Sequence, residues 1–249
     1  MMGEGVHPEG GKEMTLQEIV NRAKRVVFFG GAGVSTASGI PDFRSAEGLY
    51  AGAWRGYPPE EILSVNFFYL HPEEFFDYYR SHMLFPDAVP NAAHCFLADL
   101  ERAGKLRGIV TQNVDGLHRA AGNRLVYELH GSVREKTCLE CGASYSLEWL
   151  LGTEGIPRCP CGGAVRPGIT LYGEALNPYV LRGARREIAA CDTLIVAGTS
   201  LSVEPAASLL DGFRGRCLVV INRDPTPADA RADLVLRGDV AEILAEVRV

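Results

Sequence analysis

Short apolar runs recur along this chain, and each stops abruptly at a polar or glycine-rich cluster. Val26-Val27-Phe28-Phe29 runs into Gly30-Gly31-Ala32-Gly33. Residues 106–111 end in Gln112-Asn113-Val114-Asp115, residues 193–197 in Gly198-Thr199-Ser200, and residues 217–221 in Asn222-Arg223-Asp224. Runs this short, rich in β-branched residues and bounded by turn formers, predict buried strands. Residues 125–129 and 233–236 read as two more.

Helices are predicted between the strands. Thr15 and Glu18 form a capping box, followed by Leu16, Ile19, Val20 and Ala23 on one helical face. Asn91 caps a helix through Ala103, with Gly104 as its stop. Residues 178–190 fit a helix, and Asp239 caps a last one with Val240, Ile243, Leu244 and Val247 inward. Residues 34–38, after the glycine turn, are expected to start a helix whose N-terminus favours an anion. Alternating strands and helices imply an α/β fold with a doubly wound parallel sheet. In such a sheet the strand C-termini share one edge and ligands bind in the crevice there. Four polar clusters on that edge therefore predict an extended nucleotide site.

Two stretches break the rhythm. Residues 45–90 are polar, irregular and dense in aromatics, among them Trp54, Tyr57, Phe67, Phe68, Phe75, Phe76, Tyr78 and Tyr79. A satellite core with short helices, for example 72–83, accounts for most of these rings. Residues 138–161 have no long apolar run and carry Cys138, Cys141, Cys159 and Cys161, so they read as an inserted module. The first pair is CxxC, and seventeen residues separate Cys141 from Cys159, as in a zinc ribbon. The second pair, Cys159-Pro160-Cys161, has one residue between thiols where two are usual, which leaves a vestigial site or a redox pair as alternatives. Cys95, Cys191 and Cys217 read as small core residues.

Composition narrows the class. The chain has 249 residues, 47% hydrophobic and 22% charged, an ordinary globular balance. Its net charge of −6 offers no basic field for nucleic acid. No apolar run is long enough to span a bilayer. The start, MMGEGVHPEGGKE, has no signal-peptide pattern and reads as a tail over residues 1–13. Seven cysteines without a signal peptide point to reduced thiols and a cytoplasmic location.

His130 is the candidate catalytic residue, because an imidazole exchanges protons near neutral pH and this one ends a strand on the ligand edge. His118 is its rival. Asn113 and Asp115 suit orientation by hydrogen bonds rather than strong base chemistry.

Gly31 to Ser45, GAGVSTASGIPDFRS, resembles the signature of the sirtuins, NAD-dependent protein-lysine deacylases. TQNVDGLH at 111–118 is similar to the family's second motif, ELHG at 128–131 to its catalytic-histidine motif, and GTSLSV at 198–203 to its third nucleotide motif. The matches run in order over nearly the whole chain. The resemblance implies a Rossmann-like NAD-binding domain (14–45, 89–131 and 169–249), a helical lid module (46–88) and a zinc-binding module (132–168). It implies deacetylation of lysine with transfer of the acetyl group to ADP-ribose and release of nicotinamide. His130 would be the base, with Asn113 beside it. Ile40, Asp42, Asn113 and Asp115 would hold nicotinamide, and Phe43 would shield the sugar carbon. Ala32, Gly33, Arg44 and Ser200 would face phosphates, Gln112 a ribose, and Asn222 the adenosine ribose. Gly31, Gly198, Thr199 and Val240 complete the implied NAD contacts. The substrate protein would add a strand between Gly173-Glu174 and Ser202-Val203. The four clustered cysteines would hold one structural zinc.

Family members that prefer succinyl or malonyl lysine carry a Tyr-x-x-Arg pair. Here Phe76 and Tyr79 align with it and Asp77 would repel a carboxylate, so acetyl-lysine is the expected substrate. Arg80 stands one residue away. An ADP-ribosyltransferase using the same sugar chemistry, a broader lysine deacylase, an ADP-ribose-binding module and a dehydrogenase are the rival readings.

Overall fold

A computed structural model describes residues 14–42, 48 and 52–249. Phe43 and Arg44 lie outside the described residues, as does the tail 1–13. The large sheet has six strands: β1 (Val26–Gly30), β2 (Leu106–Thr111), β3 (Val126–Glu128), β7 (Thr193–Ala197), β8 (Cys217–Ile221) and β9 (Leu234–Leu236). Every pairing is parallel, in the order β3-β2-β1-β7-β8-β9. Both faces are covered, which is why the strands read as unbroken apolar runs. Val26, Phe28, Ile109, Ile195 and Val219 face the helices Leu16–Arg22, Ala92–Arg102 and Val240–Ala245. Val27, Phe29, Val110, Val196 and Val220 face the helix Pro178–Ala190 and the turn Ala207–Gly212. The capping box at Thr15 and Glu18 forms, and Asn91 and Asp239 cap their helices.

A second sheet is antiparallel, in the order β5-β4-β6, from β4 (Gly131–Cys138), β5 (Ser144–Tyr145) and β6 (Val165–Ile169). It begins at the residue after His130 and ends with Thr170 N–H donating to the His130 carbonyl at 2.8 Å. Residues 168–172 are thus the end of β6 and its continuation. This sheet and the short helices after Gly52 share one core, with Phe67, Phe68, Phe75, Phe76, Tyr78 and Tyr79 packed against Val133, Leu147, Leu150, Ile169 and Leu171. The aromatic segment is the satellite core that its composition implied, but it is continuous with the inserted module.

Three local expectations are corrected. Residues 34–38 form no α-helix: two single 3₁₀ turns, Ala32–Val34 and Thr36–Ser38, end at Gly39 with φ 80°. Their polar side chains compete for the backbone, as where Thr36 Oγ1 donates to the Gly33 carbonyl at 3.1 Å. There is accordingly no helix terminus to bind an anion. The helix expected over 72–83 is α-helical only for Pro72–Tyr78, then widens into a π-turn, Tyr79–Met83. Cys95 is exposed, unlike Cys191 and Cys217, which are buried. No helix among the described residues is long and apolar enough to cross a membrane.

Candidate active site

The sheet's order reverses between β1 and β7, which puts the switch point, where open parallel sheets form their ligand crevice, at the C-terminal ends of these strands. The glycines lock the two loops together. Gly31 N–H donates to the Ala197 carbonyl at 3.1 Å and Gly33 N–H to that of Gly198 at 2.9 Å. A Cβ on Gly33 would lie 2.8 Å from Gly198 Cα, and one on Gly198, at φ +60°, would lie 2.5 Å from Val34 N. These amides are spent within the protein, so the glycines bring two loops into contact rather than offering free N–H groups.

A cavity of about 650 Å³ opens along this edge, in the range of small-molecule and cofactor sites. Ala32, Gly33 and Asp42 line it from the β1 loop, and Gln112, Asn113 and His130 from the β2 and β3 loops. Gly198, Thr199, Ser200 and Val203 line it after β7, and Asn222 and Val240 at its far end. Gly173 and Glu174 line its mouth. Ile40 and Asp115 line a small adjoining cavity of about 30 Å³, together with Asn113. Gly31 and Ser202 line neither, although Ser202 Oγ lies 2.8 Å from Ser200 Oγ.

His130 Nδ1 lies 2.9 Å from the Gln112 carbonyl. A carbonyl only accepts, so Nδ1 carries the proton and Nε2 is left as the basic nitrogen. Burial, partly opposed by that hydrogen bond, lowers the imidazole below its ordinary range, so the ring is neutral at pH 7. His118, the rival, is buried against Phe28 and His94 and lines neither cavity. Desolvation first, then neighbouring His94, draws it down to about 3.

Asn113 is almost wholly buried. Its Nδ2 donates to Ser35 Oγ at 3.0 Å, and Ser35 Oγ donates to Asp115 Oδ2 at 2.8 Å. The other Asp115 oxygen accepts from Leu117 N–H at 2.8 Å. Asn113 Oδ1 has no partner. A buried amide oxygen left unsatisfied is costly, and Asn113 belongs to the walls of both cavities. Gln112 Oε1 accepts from Thr199 Oγ1 at 2.7 Å, which leaves its –NH₂ to donate. Ser35 and Thr199 carry no signal in the sequence, since hydroxyl residues in turns are ordinary.

Glu174 is held from one side. Arg166 grips it at 2.7 and 3.0 Å, and Leu171 N–H donates to it at 2.8 Å. The Arg166 hydrogen bond keeps its carboxyl below the ordinary range. Its side chain thus shapes the turn at the cavity mouth. Phe76 and Tyr79 are core residues, Asp77 pairs with Arg55 at 3.1 Å, and Arg80 Nη2 donates to Thr153 Oγ1 at 3.1 Å. None of these four lines the cavity.

At the tip of the small sheet the four thiols of Cys138, Cys141, Cys159 and Cys161 lie within 4.8 Å of one another. Sγ of Cys138 and Cys161 are 3.5 Å apart, as are those of Cys141 and Cys159. Zinc–sulfur bonds of about 2.3 Å at tetrahedral angles put sulfurs about 3.8 Å apart, so the cluster fits one closed structural zinc. The short Cys159-Pro160-Cys161 step is accommodated because Gly162, at φ +91°, turns the chain back, with its N–H on the Cys159 carbonyl. Tyr145, which the sequence did not single out, donates to Cys159 Sγ at 2.9 Å. That hydrogen bond leads the causes that bring the Cys159 thiol down to about 6, while Cys141 and Cys161 are shifted up beside it; a metal would take all four as thiolates.

Comparison with known proteins agrees with this geometry. The Sir2 family model matches residues 31–205. An NAD-dependent protein deacetylase of Clostridium perfringens is 49% identical over 93% of this chain and 96% of its own. A crystal structure of a Sir2 homologue–NAD complex superposes with a TM-score of 0.83 at 42% identity, covering 96% of this chain and 94% of that one. A Sir2–p53 peptide–NAD⁺ structure superposes with a TM-score of 0.80 at 37% identity, covering 93% and 96%. With the model matching well over half its length and a relative nearly half identical end to end, the chain belongs to the Sir2 family.

Proposed function

We propose that this protein is an NAD-dependent protein-lysine deacetylase that moves the acetyl group from lysine to ADP-ribose, releasing nicotinamide and 2′-O-acetyl-ADP-ribose. The observation that carries the reading is His130. Its tautomer is set by the Gln112 carbonyl, its free nitrogen belongs to a neutral ring, and it lines the cavity beside an unsatisfied Asn113 oxygen. Bound NAD supplies an electrophilic sugar carbon from which nicotinamide departs.

The chain's own residues do the rest. Asn113 and Asp115 would accept hydrogen bonds from the nicotinamide amide, with Ile40 and Asp42 closing that end; the family resemblance gives Phe43 the exclusion of water. Ala32, Gly33 and Ser200 would face the phosphates, a role the family resemblance also gives Arg44, Gln112 –NH₂ would donate to a ribose oxygen, and Asn222 and Val240 would meet the adenosine. His130 Nε2 takes a proton from a ribose hydroxyl, making it a nucleophile toward the acyl carbon. The substrate backbone adds as a strand between Gly173-Glu174 and Ser202-Val203, so acetylated proteins of varied sequence are accepted.

Leu63, Met83, Val114, Ile169 and Leu171 line the cavity, and on this reading they meet the acyl end. None carries charge, which favours a neutral acyl group over succinyl or malonyl. Residues 14–45, 89–131 and 169–249 act as the NAD-binding domain. Residues 46–88 and 132–168 form its cover, with Cys138, Cys141, Cys159 and Cys161 holding one zinc.

The test is to mix protein, NAD and an acetyl-lysine peptide and weigh the products. The peptide loses one acetyl mass with matching nicotinamide, and His130→Ala abolishes both. Nicotinamide release without acyl-lysine, with label appearing on protein, would instead establish an ADP-ribosyltransferase.

A further inference from the structure

The two cavities share four wall residues: Ala32, Met83, Asn113 and Val114. Three of them are fixed. Ala32 sits between two glycines whose N–H groups are tied to the β7 loop. Asn113 is held by Ser35 Oγ, with its N–H on Thr111 Oγ1 at 3.0 Å. Val114 is branched, and its carbonyl accepts from Val133 N–H at 2.8 Å. Met83 differs. Its side chain is unbranched, with several rotatable bonds and a soft thioether, and adapts its shape to what it packs on. It is the last residue of the π-turn, it is buried, and it belongs to the core formed with Leu63, Ile169 and Leu171. These last three line the large cavity on the same apolar wall. The rest of the small cavity's wall is Ser35, Ile40, Pro41, Phe85 and Asp115. Its volume of about 30 Å³, against about 650 Å³ for the large cavity, makes it a narrow side pocket with Met83 in place.

We propose that Met83 is the specificity-determining residue for acyl-chain length, a movable partition between the acyl wall and the small cavity at Ile40 and Asp115. This rests on the deacylase reading above. An acetyl group ends against the thioether. Each further methylene either displaces Met83 into the small cavity or is refused. The partition also stands between the acyl wall and two of the residues assigned to nicotinamide, Ile40 and Asp115. Removing it lets a long acyl chain and nicotinamide compete for one space.

The experiment is a chain-length series: acetyl-, propionyl-, butyryl- and hexanoyl-lysine forms of one peptide, with NAD, on the full chain and on Met83→Ala, Met83→Leu and Met83→Phe. A methylene brought from water into an apolar site is worth roughly fourfold in the specificity constant. The butyryl-to-acetyl ratio of kcat/KM is therefore expected to rise about tenfold or more in Met83→Ala. It is expected to fall below wild type in Met83→Phe and to stay near wild type in Met83→Leu. Nicotinamide is expected to inhibit Met83→Ala less on the hexanoyl peptide than on the acetyl peptide. The proposal is overturned if the ratio is the same in all four proteins, or if Met83→Ala slows every peptide in proportion. Should Met83→Ala fail to fold, a ratio that does not differ between Met83→Leu and Met83→Phe overturns it equally. A wild type that removes no acetyl group sinks the deacylase reading and this proposal together, whereas an active wild type with an unmoved ratio sinks this one alone.

Discussion

A single hydrogen bond decides what His130 can do. With Nδ1 donating to the Gln112 carbonyl at 2.9 Å, the ring presents Nε2, and burial keeps that nitrogen unprotonated. A base must be neutral to act, so activity is full at neutral pH and falls on the acid side. Because burial lowers the histidine, the break in log kcat/KM against pH is expected below 6.5, with a slope of one proton. A break above 6.5 would contradict the burial argument. That His130 and Asn113 lie on the sheet's ligand edge and that the four cysteines cluster was legible in the sequence, from the apolar runs before the first two and the spacing of the thiols. Their supports were not. Ser35, Thr199 and Tyr145 matter through what they touch, and those contacts join residues 80, 87 and 14 positions apart. His118 shows the converse: a histidine in a motif that proves to be buried packing.

Strands were the most legible elements. Residues 106–111, 193–197 and 217–221 were read to the residue, because parallel strands buried on both faces leave an unbroken apolar run. The small sheet was not, since β4 carries Arg134, Glu135 and Lys136 and its partner β6 includes Pro167 and Gly168. The turns at 32–38 were misread because glycine followed by small residues suits a helix start and a 3₁₀ turn equally. The glycines separate into two kinds. Gly198 has φ +60° and no room for a Cβ, whereas Gly39 has φ +80° with nothing within 4 Å. Gly39→Ala is expected to cost about 1 kcal/mol, the backbone term alone. Gly198→Ala is expected to cost well beyond that, because the added carbon also forces the β1 and β7 loops apart. Urea denaturation of both variants checks the ordering, and equal losses would refute the interlock.

Over the whole molecule, acid is the weak side. His94 and His118 lie buried with ring centroids 4.7 Å apart, and desolvation draws them to about 4 and about 3. Unfolded, both take protons near 6.5. Between about 6.5 and about 4 the unfolded chain therefore binds more protons than the folded one, and stability falls as pH falls, by about 1.4 kcal/mol per unit for each histidine. Above 6.5 neither ring contributes to the slope. His118→Phe, which keeps a ring against Phe28, is expected to flatten the fall in melting temperature between pH 6.5 and 4; an unchanged slope would mean other groups govern it. Position matters at this scale as well. The backbone leaves the large sheet at His130 and comes back at Thr170, which is bonded to the His130 carbonyl. The imidazole thus stands at one of the joints between the zinc-bearing half and the large sheet, close to the axis of any swing made about that joint. Opening the jaw to admit or free a peptide would sweep the rim through a wide arc while leaving the proton acceptor where it was, so turnover need not rebuild its base each time.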